Sequence, residues 1–268
     1  MKALTACLFV LLALPVQALE LEGRFTQGGL IFGKASPGAK VSLDGRALRL
    51  SPDGDFVFGF GRDAPPHATL RIERPGQAAE ERKIEVSARK YRVQRIDGLP
   101  PRMVTPPPAV LARIKRENGE IAKLRARDNP AVHFLGSWLR PATGPVTGVY
   151  GSQRILNGKP RRPHFGIDFA APVGTPVVAP VGGKVVLAHK DMYYTGGTIM
   201  IDHGHGLTSA FLHLSALSVK PGQMVERGQR IGAIGATGRA TGPHLDWRIN
   251  WFDRRLDPAF LLSAEALK

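Results

Sequence analysis

Histidine and aspartate recur at short spacing twice in this chain, as His164-Phe165-Gly166-Ile167-Asp168 and, about eighty residues later, as His244-Leu245-Asp246. On an extended strand successive side chains alternate faces, so His164, Gly166 and Asp168 are expected on one face and Phe165, Ile167 and Phe169 on the other. His244 and Asp246 repeat the arrangement, with Leu245 and Trp247 on the packable side. Imidazole and carboxylate are both competent ligands for a divalent metal, and a catalytic zinc takes three protein ligands and keeps one position open for water. Taken singly, each pair is equally compatible with a surface ion pair. Their recurrence points toward a metal hydrolase, with four candidate ligands or catalytic groups and a glycine that leaves room between the first two.

Other histidines divide by their neighbours. His213 lies in Phe211-Leu212-His213-Leu214, where a buried strand histidine is the competing reading. Thr241-Gly242-Pro243 forms a turn that would present His244 at a strand start. The run Asp202-His203-Gly204-His205-Gly206 reads as a hairpin turn, with His203 bonding the loop and His205 solvated rather than a second metal site. His67, His133 and His189 lack a partner at ligand spacing and read as structural, and Tyr193 and Tyr194 as packing residues.

From about Arg140 to Pro258 the chain resembles the lysostaphin-type (LytM-like) zinc endopeptidases of bacterial cell walls. Gly148-Val149-Tyr150-Gly151-Ser152 resembles the family's Gly-aromatic-Gly entry, and His164 to Asp168 its metal-binding His-x-Gly-x-Asp. The runs 171–177, 182–185 and 201–204, the Phe211-Leu212-His213-Leu214 segment and the stretch from Gly235 to Leu245 also fit. One departure stands out: the family closes its site with His-x-His, whose second histidine binds zinc, and here Asp246 occupies that place.

The resemblance implies one zinc ion held by His164, Asp168 and Asp246, with His213 and His244 as the proton-transfer pair. Histidine suits that task because its unperturbed pKa is about 6.5. Two carboxylates and one imidazole donate more negative charge than the usual set, which would favour a harder metal. The implied reaction is hydrolysis of peptidoglycan cross-links, at a D-alanyl to diaminopimelate bond, with the wall peptide as partner. Asp246 keeps open a different class, a catalytically inactive relative that binds the wall or activates an amidase. A third reading, a lectin-like wall binder led by the N-terminal region, leaves the His/Asp constellation without a purpose.

Charge and termini bear on compartment. A formal net charge of +15 and a pI near 10.5 fit a polyanionic wall or membrane surface, and no nucleic-acid recognition motif accompanies them. Arg161, Arg162, Arg239, Arg248, Arg254 and Arg255 gather in sequence around the expected cleft, where they could meet peptide carboxylates. Met1-Lys2, the apolar run to Pro15 and Val16-Gln17-Ala18 read as a signal peptide over residues 1–18, too short to span a bilayer, so the chain is expected to be exported to the periplasm. Cys7, the single cysteine, falls inside that segment, which excludes a disulfide framework and a thiol nucleophile in the mature chain.

These residues need a scaffold, and the sequence predicts a mainly β one. Residues 19–98 read as short strands between turn signals such as Asp44-Gly45 and Pro52-Asp53-Gly54, an immunoglobulin-like sandwich with no catalytic constellation. Residues 99–130 read as a stiff, extended proline-rich linker and then a helix over Ala109 to Arg127, expected to pack on the C-terminal domain. Residues 131–268 return to glycine-punctuated strands, for which the resemblance implies an antiparallel sheet with a peptide groove. Oligomeric state is not indicated.

Overall fold

Side chains on the strand His244–Trp251 alternate without a break: Leu245, Trp247, Ile249 and Trp251 are almost fully buried on one face, and His244, Asp246, Arg248 and Asn250 take the other. Burying one large apolar side chain contributes about 1.5–3 kcal/mol. Four on one strand therefore set its register, because a one-residue slip would move all of them to the face that holds Asp246 and put the carboxylate among the apolar core. The computed structural model describes residues 19–267, so the expected signal peptide lies outside the described residues.

The strand His244–Trp251 lies inside an eight-stranded antiparallel sheet. Across that sheet run Met224–Val225, Gly183–Met192, Gly196–Gly204, Leu207–Leu214, His244–Trp251, Ile167–Ala170 and Val146–Gly148, with Arg254–Leu256 also paired to His244–Trp251. Gly196–Gly204 and Leu207–Leu214 are joined by His205 and Gly206, both at positive φ (48° and 76°), the conformation a two-residue hairpin requires. The hairpin expectation holds, but His205 is buried, not solvated, because its ring packs 4.9 Å from that of Phe134. His203 bonds the loop region as expected, its two ring nitrogens lying 2.7 Å from the Gly182 carbonyl and 2.7 Å from the Ser209 hydroxyl.

Residues 20–85 form a three-stranded and a four-stranded antiparallel sheet. His67–Glu73 shows strict alternation of exposed and buried residues, the pattern of a half-buried strand. This region and the segment after it pack on the strand Arg254–Leu256 and the turn beyond it: Arg89 pairs with the buried Asp257 at 2.8 Å, and Leu256 lies against Gly59.

The proline run differs from expectation. Pro101–Val104 forms a helical turn, closed by the Thr105 N–H on the Pro101 carbonyl at 2.8 Å. Proline is tolerated in a first turn, where its missing N–H would have had no partner. The next helix spans Pro108–Arg125 and docks Leu124 against Leu187, Met192, Met200, Ala210 and Leu212, so it packs on the large sheet. Its Glu117 is held by Arg113 at 2.6 Å and accepts the Tyr193 N–H at 2.9 Å. No helix among the described residues is long and apolar enough to cross a membrane.

Candidate metal centre

Three adjacent strands carry most of the candidate residues: Leu207–Leu214 holds His213, His244–Trp251 holds His244 and Asp246, and Ile167–Ala170 holds Asp168. Asp168 and Asp246 are directly opposite each other across an antiparallel pair. Two carboxylates so placed repel and destabilise the pairing unless positive charge compensates them. Both are buried.

His164 reaches the same point by another route. The strand starts only at Ile167, so strand alternation does not aim His164; the preceding coil does. There its N–H donates to the Ser152 carbonyl and its carbonyl accepts the Gly151 N–H, both at 2.8 Å. The fully buried ring places Nε2 3.0 Å from Asp168 Oδ1 and 3.4 Å from Asp246 Oδ2.

Glycines make room for both carboxylates. A Cβ at Gly148 would lie 2.0 Å from Asp168 Oδ2, and one at Gly166 would lie 2.2 Å from Asp246 Oδ1. The expected space beside Gly166 is thus used, though by the opposite strand's carboxylate.

Ligand atoms of His164, Asp168 and Asp246 all lie within 4.8 Å of one another. His164 Nε2 and Asp168 Oδ1 are buried and make no hydrogen bond to any group outside the cluster. Buried polar atoms are ordinarily satisfied, so two that turn only toward their own cluster fit a site for a cation. Burial alone would lower the His164 pKa, but the Asp246 and Asp168 carboxylates outweigh it and leave that pKa raised. Burial would likewise raise Asp246, yet Arg248 and His164 hold its carboxyl well below the usual range.

His213 and His244 face each other beside this cluster, ring centroids 4.8 Å apart. Their Nδ1 atoms lie 2.8 Å from the Thr237 and Gly242 carbonyls respectively. A carbonyl only accepts, so in each case Nδ1 carries the proton and Nε2 is left with a free lone pair. Burial pushes the His213 pKa down to about 4, which keeps that ring neutral at pH 7. His213 also has φ of 66°, rare for a non-glycine residue, with its N–H turned to the Thr195 carbonyl at 2.8 Å.

Asp168 of the cluster and the two histidines line a cavity of about 260 Å³ with Arg154 and Arg239, and Ile96 and Leu99 of the N-terminal half also line it. The arginines expected to await peptide carboxylates are mostly engaged within the protein. Arg161 donates to the Val104 carbonyl at 3.0 Å, and Arg239 to that of Met103 at 3.1 Å while stacking on Tyr194. Arg254 donates to the Gly59 carbonyl at 3.1 Å and Arg255 to Asn250 at 2.6 Å; Arg162 alone of the six is exposed. Arg248 forks onto Asp246, with Nε 2.9 Å from Oδ1 and Nη2 2.5 Å from Oδ2. Arg154, which the sequence did not single out, places Nη2 3.6 Å from Asp168 Oδ2.

An antiparallel β-sheet with a buried His/Asp/Asp cluster beside two histidines held by backbone carbonyls defines a protein with a candidate metallopeptidase centre. The model of peptidase family M23 matches residues 162–258. A crystal structure from Pseudomonas aeruginosa, described as a candidate M23 peptidase, superposes with a TM-score of 0.69 at 30% identity, covering 89% of this chain and 95% of that one. The chain therefore belongs to peptidase family M23.

Among curated proteins, it is 36% identical over 155 residues to the peptidoglycan DD-endopeptidase ShyB of Vibrio cholerae, which is 53% of this chain and 36% of ShyB. It is 46% identical over 91 residues to the DD-carboxypeptidase/endopeptidase Mpg of Neisseria meningitidis, covering 33% of this chain and 21% of that protein. The chain thus spans about a third or less of the length of these relatives.

Proposed function

We propose that this chain is an exported zinc endopeptidase that hydrolyses peptide cross-links of peptidoglycan, at the D-alanyl to diaminopimelate bond. One observation carries the reading: three buried ligand atoms, on His164, Asp168 and Asp246, lie within 4.8 Å of one another, and Asp168 lines a cavity together with two histidines whose Nδ1 atoms are engaged by backbone carbonyls. His164, Asp168 and Asp246 would hold the ion. When bound there, zinc supplies polarisation of the scissile carbonyl and lowers the pKa of a coordinated water. His213 and His244, fixed with Nδ1 as donor, accept the proton of the attacking water at Nε2 and return it to the leaving amine. The Thr237 and Gly242 carbonyls stabilise the imidazolium that forms on the way.

The relatives named as peptidoglycan endopeptidases support the substrate class. Export to the periplasm rests on the pattern of residues 1–18 and on the location of that substrate. We take residues 19–98 as an accessory module, 99–130 as the connecting segment and 131–268 as the peptidase domain.

A second reading has its own observation. Arg248 satisfies both oxygens of Asp246, as an inactive member that binds the wall or activates an amidase would permit. Metal analysis of the purified chain beside digestion of cross-linked wall peptides separates the two. One zinc per chain and release of uncross-linked stems are expected; absence of both would leave the inactive reading. Asp246→His restores the histidine found elsewhere in the family, so it should retain metal in an enzyme and create hydrolysis where the parent has none.

A further inference from the structure

Asp246 and Arg248 are two residues apart on one strand and so share its face. The guanidinium covers the carboxylate edge with two near-parallel hydrogen bonds, the strongest arrangement available to this pair of groups. Asp246 Oδ2, which receives Arg248 Nη2 at 2.5 Å, is also the atom that faces His164 Nε2. Ligation and the fork therefore fall on the same oxygen, where the guanidinium and a metal ion would meet as like charges. The Arg248 stem passes over Gly166, where a Cβ would lie 2.8 Å from Arg248 Cγ, so the absence of a side chain there admits both the carboxylate and the arginine. Arg154 approaches Asp168 in the same way but more loosely, at 3.6 Å.

Charge makes the fork consequential. With the imidazole neutral, two aspartates and two arginines already sum to zero, and a divalent ion would raise the cluster to a net charge of +2 in a buried setting. A histidine at position 246 could not accept such a fork, since a neutral imidazole offers one acceptor nitrogen.

We propose that Arg248 is a resident counter-ion that competes with the metal for Asp246, so that loading requires the guanidinium to leave and the metal-free protein is held in its native form by the fork. This rests on the proposed metal centre. The departure at Asp246 and the arginine two residues on then act as one device: Asp246 is a ligand available to the metal only when Arg248 is displaced, whereas His164 and Asp168 carry no such fork.

The test measures zinc affinity by competition with a chromophoric chelator, and thermal melting with and without chelator, for the full chain and for Arg248→Gln, Arg248→Lys and His164→Ala. Losing a charge-assisted fork should tighten zinc binding by about 10- to 100-fold in Arg248→Gln. The metal-free form of that variant should melt below the parent, since Asp168 and Asp246 then face each other with one guanidinium fewer. Arg248→Lys keeps the charge without the fork and should fall between the two, which also serves if the glutamine variant does not fold. Equal or weaker zinc affinity in the variants overturns the proposal while leaving the metal centre intact, provided His164→Ala loses the ion. Zinc binding that His164→Ala does not weaken would sink the metal centre itself, and the proposal with it.

Discussion

The two sides of the cavity are built from the same few residue types by opposite electrical means. On one side the polar groups carry full charge: Asp168 and Asp246 face each other, and Arg154, Arg248 and His164 close around them. On the other, His213 and His244 are oriented by backbone carbonyls alone. A charged cluster attracts a cation and is altered by any change in its charge count. An imidazole with one nitrogen pinned to a carbonyl keeps its other nitrogen aimed in one direction, so it can take up or release a proton there without turning the ring. Under the proposed function the contrast separates holding from turning over, and each side should therefore fail in its own way.

The largest effect is expected from the charged side. His164→Ala or Asp168→Ala should lose metal and bring peptide hydrolysis to background together, while circular dichroism stays native. A catalytic ion in a domain with an ordinary hydrophobic core is not what folds it. Full metal occupancy in both variants would exclude the site.

On the neutral side, His213→Ala should retain metal and lose turnover by about 10²–10⁴-fold, the usual contribution of a proton-transfer group. Inductively coupled plasma mass spectrometry and wall-peptide digestion read the two properties separately. Parental turnover in this variant would remove His213 from the chemistry.

A subtler break leaves every polar group in place. Gly148→Ala puts a methyl group 2.0 Å from Asp168 Oδ2 as it now stands, so the carboxylate must move. Zinc affinity should fall while the titration of His213, monitored by proton NMR, stays as in the parent. A matching change in the His213 signal would mean that the two sides are mechanically one.

Much of this was legible in the chain, and the reason is periodicity. The alternation over His244 to Trp251 sorts apolar from polar residues and is preserved by the burial of two tryptophans. Asp168 obeys the same rule on its short strand. His164 breaks it, since its aim comes from hydrogen bonds to Gly151 and Ser152, which local spacing does not encode. The Arg248 fork could have been read from its position two residues beyond Asp246 on one strand face. Arg154 could not: its strand Gln153–Leu156 pairs in parallel with Val93–Ile96, some sixty residues away. The internal partners of the six arginines show the same limit, because they are mostly carbonyls, and every residue has one.

The smallest effect concerns pH, and it distinguishes the two sides by sign. Burial lowers the His213 pKa to about 4 in the native state against about 6.5 in an unfolded chain. Between those values the unfolded form binds a proton that the native form does not, so stability is full above pH 6.5 and falls as the pH drops toward 4. That gap corresponds to roughly 3 kcal/mol. His203, also lowered to about 4 by burial, adds a like amount in the same window and serves as an internal reference. His164 behaves oppositely, because its neighbouring carboxylates leave its native pKa raised. Its contribution is full below pH 6.5 and is lost as the pH rises through the native value. Urea denaturation of the chelated protein from about pH 4.5 to about pH 9 should therefore show an acid limb, shared with His203 and with His205, whose pKa burial also lowers, that His213→Gln flattens in part. His164→Gln should flatten the alkaline limb and leave the acid one alone. If both variants flatten the same limb, the two sides share one electrostatic state and the division between a charged and a neutral side fails.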